Sequence, residues 1–528
     1  VTAARSLARG GLLVSGAFFV SRVLGFVRVF AITSTTHDAA SLDPFFQAFR
    51  VPDLIFQLVA AGALSSALIP MIATLLAANE ESRAWRVVSA VTNLMLIALA
   101  VLAGTLMVFA PEAVGAITPG FTGERLAQTV ELTRIMLLSP ILLALGSVAT
   151  SVLNARGRFA ASVMAPIVYN VAIIAGAIFL AGPFGLRGLA ISVVIGSACH
   201  LGIQLRPLFA GAGFRYTPTL ARDDPETKRT ILLLVPRAVG LGGAQLQLVA
   251  ATAIGSLLAG GAITAFAVAF TVFQIPIGVI GVPLGIVALP TMSAQMARGA
   301  IDEFVALVGR SFRLMAFVMF PLMFFGIVAA TPIMTVLFGL GRTAPDQLDR
   351  YAAVLAAFLV ALPSETAIVV LARAFYAMRD TRTPVAAALL AVVVSIAISI
   401  AVAPTLGAPG LALGIAIASW FEAAALVILL NRRVPALRVG ALLRSIALFA
   451  ACGAIAGAVL WAVLAGAHAI VTPGPGRLVS VIVNAIELAV GGFVGGLVYL
   501  GLARLLRIPE VPTIVHLLRS ALRRDPDA

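Results

Sequence analysis

Apolar stretches of about twenty residues or more recur fourteen times along this 528-residue chain, and that recurrence leaves few folds open. About twenty apolar residues are what an α-helix needs to cross the hydrocarbon of a bilayer. A backbone in lipid must satisfy its own hydrogen bonds, and runs of this length do so as helices. The spans read near 10–34, 48–78, 85–110, 130–153, 160–182, 186–207, 230–258, 262–290, 304–330, 350–376, 384–403, 408–430, 441–466 and 478–506. Only 11% of the residues are charged, against about 25% in ordinary soluble domains. The expected fold is therefore an all-α polytopic membrane protein with fourteen transmembrane helices. A shorter amphipathic segment at 509–524 is expected to lie on the membrane surface. The run after Arg5 and Arg9 is too long for a signal-peptide core and reads as the first span.

The basic residues set the orientation. Alternate loops carry Arg83 and Arg86, Arg156 and Arg158, Arg206 to Arg229, Arg298 to Arg313, Arg373 to Arg382, and Arg432 to Arg444. The opposite loops hold only Arg125, Arg134, Arg187, Arg342, Arg350 and Arg477. Basic loops stay cytoplasmic, so both termini are expected inside, which an even helix count permits. The same rule accounts for the net charge of +14 without a nucleic-acid partner. Cys199 and Cys452 fall in apolar runs and read as small buried residues rather than a disulfide or metal pair. The four histidines are scattered.

The chain also repeats itself. Gly185-Leu-Arg-Gly188-Leu-Ala-Ile matches Gly407-Ala-Pro-Gly410-Leu-Ala-Leu at an offset of 222, and Asn154 to Arg158 lies opposite Tyr376 to Asp380 at the same offset. Ala67-Leu-Ile-Pro70 matches Val287-Ala-Leu-Pro290 at 220. Each copy spans six helices, an even number, so the copies share an orientation and imply a pseudo-two-fold axis along the membrane normal. The expected organisation is a first six-helix lobe at 1–208, a cytoplasmic linker at 209–229, a second lobe at 230–432, two further helices at 441–506 and the tail at 509–524. Transporters built this way place their substrate between the halves.

A few charged residues interrupt the apolar spans. Arg22 and Arg28 stand inside the first one, where each costs about 2.5–3.5 kcal/mol at mid-helix. Six positions apart, they can line one cavity wall at two depths. Guanidinium offers paired donors and keeps its charge, so an anion such as phosphate is the matching ligand. Asp43, Arg50 and Asp53 cluster at the start of the second span, where Pro52 is expected to break or kink the helix. Arg50 is a candidate substrate contact. Asp43 and Asp53 read as orienting groups, with Arg50 and Asp53 spaced to pair with each other. Glu365 is a candidate coupling carboxylate, ahead of Glu422 and Glu487. Gln245, Gln247 and Gln274 read as interhelical hydrogen-bonding groups. The sequence carries no HExxH, no Walker A loop and no GxSxG with partners, so neither an enzyme nor an ATP-driven pump is expected.

Ser21-Arg-Val-Leu-Gly-Phe-Val-Arg28, Asp43-Pro-Phe-Phe-Gln-Ala-Phe and Gly62-Ala-Leu-Ser-Ser-Ala-Leu-Ile-Pro70 resemble the bacterial lipid II flippase family MurJ (MviN) of the MOP transporter superfamily. Leu153-Asn-Ala-Arg-Gly-Arg-Phe159, Pro276 to Pro283 and Ala372 to Pro384 extend the resemblance over about 8–506. The resemblance implies two six-helix lobes around a central cavity, with helices 13 and 14 forming a groove for a lipid tail. It implies alternating-access export of the undecaprenyl-diphosphate peptidoglycan precursor, lipid II, across the inner membrane. Arg22 and Arg28 match the family's functional arginines, Asp43 its acidic position, and Arg50 a basic one. The sequence departs where relatives carry basic or acidic residues at Phe56-Gln57 and Ala61, and an arginine at Thr271. Helix 7 lacks the carboxylates of the family's sodium site, so no cofactor or sodium ion is expected, and the drive is read as membrane potential or another ion gradient. The expected partners are lipid II, membrane lipids and other wall-synthesis proteins, with the chain itself a monomer. A MOP exporter of another lipid-linked oligosaccharide or a drug, and a non-transporting scaffold for wall synthesis, stand as alternatives.

Overall fold

A computed structural model describes residues 20–59, 63–470 and 476–512. The N-terminal part of the first span (10–19) and most of the expected surface tail (513–524) lie outside the described residues. The described residues form no strand. Among the described residues, each of the fourteen apolar segments falls mainly on helix. Among the described residues ten helices are long and apolar enough to cross a membrane, or eleven if a pair bent by 41° is one span.

The helices are α1 (20–33), α2 (Asp43–Ala48), α3 (Arg50–Val59), α4 (Ala63–Ala77), α5 (Glu81–Val108), α6 (Ala110–Ile117), α7 (Gly123–Met136), α8 (Leu138–Ala155), α9 (Phe159–Phe179), α10 (Ala181–Arg206) and α11 (Pro225–Ser256). There follow α12 (Ala262–Pro276), α13 (Val282–Ala297), α14 (Ile301–Val328), α15 (Ala330–Phe338), α16 (Pro345–Leu359), α17 (Leu362–Ala377), α18 (Arg382–Leu406), α19 (Ala408–Arg433), α20 (Val439–Ile470) and α21 (Arg477–Leu505). They fall into two compact units, Val1–Thr264 and Ala265–Ala528.

Within the first unit, Leu68 and Ile72 of α4, Val88 and Val91 of α5 and Val148 and Val152 of α8 make one core. Ile32 of α1, Phe45 of α2, Met136 of α7, Ile173 of α9 and Leu189 and Val193 of α10 make another. The second core holds α1 against α9 and so fixes where the α1 arginines point. The connector after α10 is tied to α5: Phe214 meets the Trp85 ring edge-on at 5.6 Å, Thr217 N–H donates to Ser89 Oγ, and Asn93 Nδ2 donates to the Thr219 carbonyl. In the second unit Phe317 and Phe320 of α14, Phe449 of α20 and Tyr499 of α21 pack together. The Tyr499 hydroxyl donates to the Phe317 carbonyl at 2.7 Å.

The duplication is visible in backbone detail. Left-handed residues recur in pairs at offsets of 220 or 222: Asn79 with Gly299, Gly157 with Arg379, and Gly185 with Gly407. Ser139 and Ser197 join α8 to α10 through hydroxyls 2.6 Å apart, and Ser364 and Ser419 join α17 to α19 at the same distance. Repeat and packing nevertheless draw different boundaries. The repeat counts α11 with the second set of helices, whereas α11 packs beside α3, α4 and α5 in the first unit.

Pro52 acts one turn away from where the sequence suggested. It sits in the first turn of α3, where a missing N–H is tolerated. The irregular residue is Phe49, between α2 and α3. Without a Pro52 N–H, the Ala48 carbonyl loses its i+4 donor, while Phe49 still accepts from Asp53 N–H at 3.0 Å.

Candidate functional site

In the first unit Arg28, Arg50 and Asp53 come together at one site and Asp43 belongs to another, while Arg22 stands exposed on α1. The first site is built on α1, α3 and α9. Arg22 is exposed and Arg28 half-buried on α1. The Arg28 guanidinium lies over the Tyr169 ring of α9, 5.8 Å from its centroid. That face-on contact fixes a planar cation without neutralising it. Arg50, at the start of α3, has its Nε sealed from solvent with no hydrogen-bond partner. Asp53 stands one turn further on, with Arg50 and Arg28 as its charged neighbours and the Gln57 amide facing its carboxylate. Among the described residues neither arginine closes an ion pair on Asp53 within 4.0 Å. The i,i+3 pair that the spacing allows is therefore not formed. Two guanidinium groups with unused donors are chemically suited to take an acceptor anion.

Asp43 belongs to the second site. Its carboxylate is buried, with 2% of the residue exposed, and every direction around it is filled. The Oδ2 atom accepts from Gly261 N–H at 2.7 Å and from Arg125 Nη2 at 3.1 Å. The Oδ1 atom accepts from Thr264 N–H at 2.9 Å, with the Thr264 hydroxyl at 2.7 Å. That hydroxyl also lies 2.9 Å from the Ala39 carbonyl, so its single proton serves one acceptor at a time. A carboxylate has about four lone-pair sites, and here four donors occupy them. Asp43 thus orients Arg125 and the turn at 261–264 rather than Arg22, Arg28 or Arg50. Gly261 suits this turn, since its φ of +87° is one that residues with a side chain rarely adopt.

The positions of departure are filled otherwise. Phe56 packs on the α4–α5–α8 core, and Thr271 hydrogen-bonds its own helix at the Ala267 carbonyl. Glu365 lies in the second unit, in the first turn of α17 after the 41° bend. Its charged neighbour is Glu422 of α19, close to the Ser364–Ser419 contact. Among the described residues there is no group of three metal-ligating side chains.

Sequence reasoning missed Tyr169, Arg125, Gly261 and Thr264. Tyr169 was one phenol in an apolar run, and Arg125 one more loop arginine. Thr264 carried no signal, since its value comes from a partner 221 residues away.

The profile of a family described as "Lipid II flippase MurJ" matches residues 34–474. The chain is 30% identical over 463 residues to a protein named "Probable lipid II flippase MurJ" from Rhizobium tropici, covering 86% of each. A solved structure described as "Lipid II flippase MurJ, inward closed conformation" superposes with a TM-score of 0.78 at 20% identity, covering 94% of this chain and 98% of that one. An inward-facing multidrug resistance MATE family transporter of the MOP superfamily superposes with a TM-score of 0.68 at 16% identity, covering 79% and 95%. At these identities both structures speak to the fold alone.

Proposed function

The chain belongs to the lipid II flippase MurJ family, and from that premise we propose that it exports lipid II by alternating access across the membrane its helices span. The cargo is an undecaprenyl diphosphate carrying a sugar-peptide head. Its diphosphate is held by Arg22, Arg28 and Arg50, and its polyprenyl chain stays in lipid. The observation that carries this reading is a pair of guanidiniums, Arg28 on its Tyr169 platform and Arg50 with an orphan Nε, in mostly apolar helices. A diphosphate stripped of water without cations around it would be prohibitively unstable. A drug exporter for cationic compounds would want carboxylates in that place, so the arginines and the family both favour the anionic lipid.

We place both termini in the cytoplasm, following the arginine bias of the loops. The Asp43 clasp then lies on the outer side. Carrying two negative charges outward with the inside negative gains roughly 4.6 kcal/mol per 100 mV. Membrane potential therefore suffices to bias export without a sodium site. We assign Asp53 and Glu365 to orienting and coupling, and expect a monomer.

The test is reconstitution in vesicles with a fluorescent lipid II analogue. Arg28→Gln and Arg50→Gln should each abolish flipping while the protein accumulates normally. Wild-type rates in both variants would remove these arginines from the mechanism. Collapsing the potential should slow net export, and an unchanged extent would refute the proposed drive.

A further inference from the structure

Asp53 is the odd group in a site read as anion-binding: a carboxylate standing where a diphosphate is to arrive. We propose that Asp53 is a resident counter-ion that competes with the cargo's diphosphate for Arg28 and Arg50, and so sets how readily the lipid is released. The inference rests on the anion-site reading given above and adds a residue with a definite role to it.

The geometry argues for competition rather than plain pairing. Asp53 follows Arg50 by three positions on α3, a spacing at which the two side chains meet easily. They do not close, since no ion pair within 4.0 Å forms between them. The Asp53 carboxylate instead faces the Gln57 amide one turn on, within the field of both arginines. Tyr169 has Arg28 and Asp53 together as charged neighbours, which puts both on one patch beside α9. Arg50 Nε has no acceptor at all. The carboxylate thus offsets two cations without occupying the donors of either.

The consequence follows from charge. Arg28, Arg50 and Asp53 together carry one net positive charge, whereas the arginines alone would carry two. A diphosphate meeting two uncompensated guanidiniums would bind more tightly and leave more slowly. Tight ground-state binding lowers the concentration needed for half-saturation without speeding turnover. With Asp53 in place, the cargo's departure is matched by the carboxylate regaining its field, so the unloaded site is never left with two bare cations. A purely structural Asp53 would move stability and leave this balance untouched.

The experiment measures binding and turnover separately on the full-length protein. Undecaprenyl diphosphate is the probe for binding, and flipping of a lipid II analogue in vesicles is the measure of turnover. Asp53→Asn keeps the shape and the Gln57 contact and removes the charge. It should tighten binding about ten-fold, the order expected for one charge a few ångströms away in a partly wet site, and lower the maximal flipping rate. Asp53→Glu, which restores the charge, should return both values towards wild type. Unchanged or weaker binding by Asp53→Asn overturns the inference. If that variant fails to accumulate, Asp53→Ser poses the same question with the same two outcomes. Arg28→Gln and Arg50→Gln, measured alongside, separate the two levels. Wild-type binding by both would overturn the anion-site reading itself, while lost binding with an unaffected Asp53→Asn overturns only the role given to Asp53.

Discussion

Asp43→Asn should loosen the clasp that holds residues 39–43 to 261–264, and the size of the effect can be worked from its four donors. An amide presents one acceptor oxygen and one NH2 group. Its best placement keeps the oxygen towards Gly261 N–H and Arg125, leaving the NH2 towards Thr264. The Thr264 hydroxyl can rotate to accept, but the Thr264 N–H then faces a donor in a buried place. An orphaned buried donor costs about 1–3 kcal/mol. The Arg125 contact loses its charge partner, and because that guanidinium side chain is 41% exposed the loss there is about 0.2–1 kcal/mol. The clasp should therefore weaken by roughly 1–4 kcal/mol, a shift of about 5- to 1000-fold in the ratio of closed to open. Hydrogen exchange read by mass spectrometry checks this on the amides of 257–264, which should lose protection in the variant while the α5 and α8 core stays protected. Equal protection in both proteins would refute the reasoning, because it would mean that the four short contacts do not hold the turn.

Tyr169→Phe should bind and flip near wild type, whereas Tyr169→Leu should weaken the hold on Arg28 by about 0.5–1 kcal/mol and reduce binding of undecaprenyl diphosphate a few-fold. Asp224 ties the connector to α5 through Arg83 and caps α11 at Glu226 N–H; hydrogen bonds from Arg83 hold its carboxyl below the usual value of 3.8. A lowered folded value means that this stabilisation is present above the unfolded value and fades as pH falls through the folded one, so limited proteolysis at 212–224 should be pH-independent at neutrality and speed up only below about pH 4. Asp224→Ala should expose the same segment at pH 7 and cost about 1 kcal/mol through the lost cap. Gly185→Ala and Gly407→Ala, at φ of +56° and +66°, should each lower thermal stability by about 1–3 kcal/mol, while Gly182→Ala, with open space around it, should be close to neutral.

The lattice of membrane helices was legible because lipid imposes a single demand, twenty apolar residues per crossing, which survives any arrangement of neighbours. The repeat was legible for a similar reason. The turns at Gly185 and Gly407 need backbone angles that few residues tolerate, so the same residue stands at both. The break at Phe49 was displaced from the expected Pro52 because proline forbids only its own N–H, and a helix can absorb that in a first turn.

The site was legible in its charges and not in its pairings. The chain alone determined that arginines stand at 22, 28 and 50 among apolar residues, each bringing a cationic guanidinium with paired donors. What the carboxylates do was decided only by tertiary structure. Asp43 and Asp53 look alike in sequence, ten residues apart at the entry to one span. Folding closes four donors around the first, from α7 and from a turn more than 200 residues later, and leaves the second in the field of two arginines without a closed bond. Charge belongs to a residue, whereas a hydrogen bond belongs to a distance, and distances between remote residues exist only once the helices have packed.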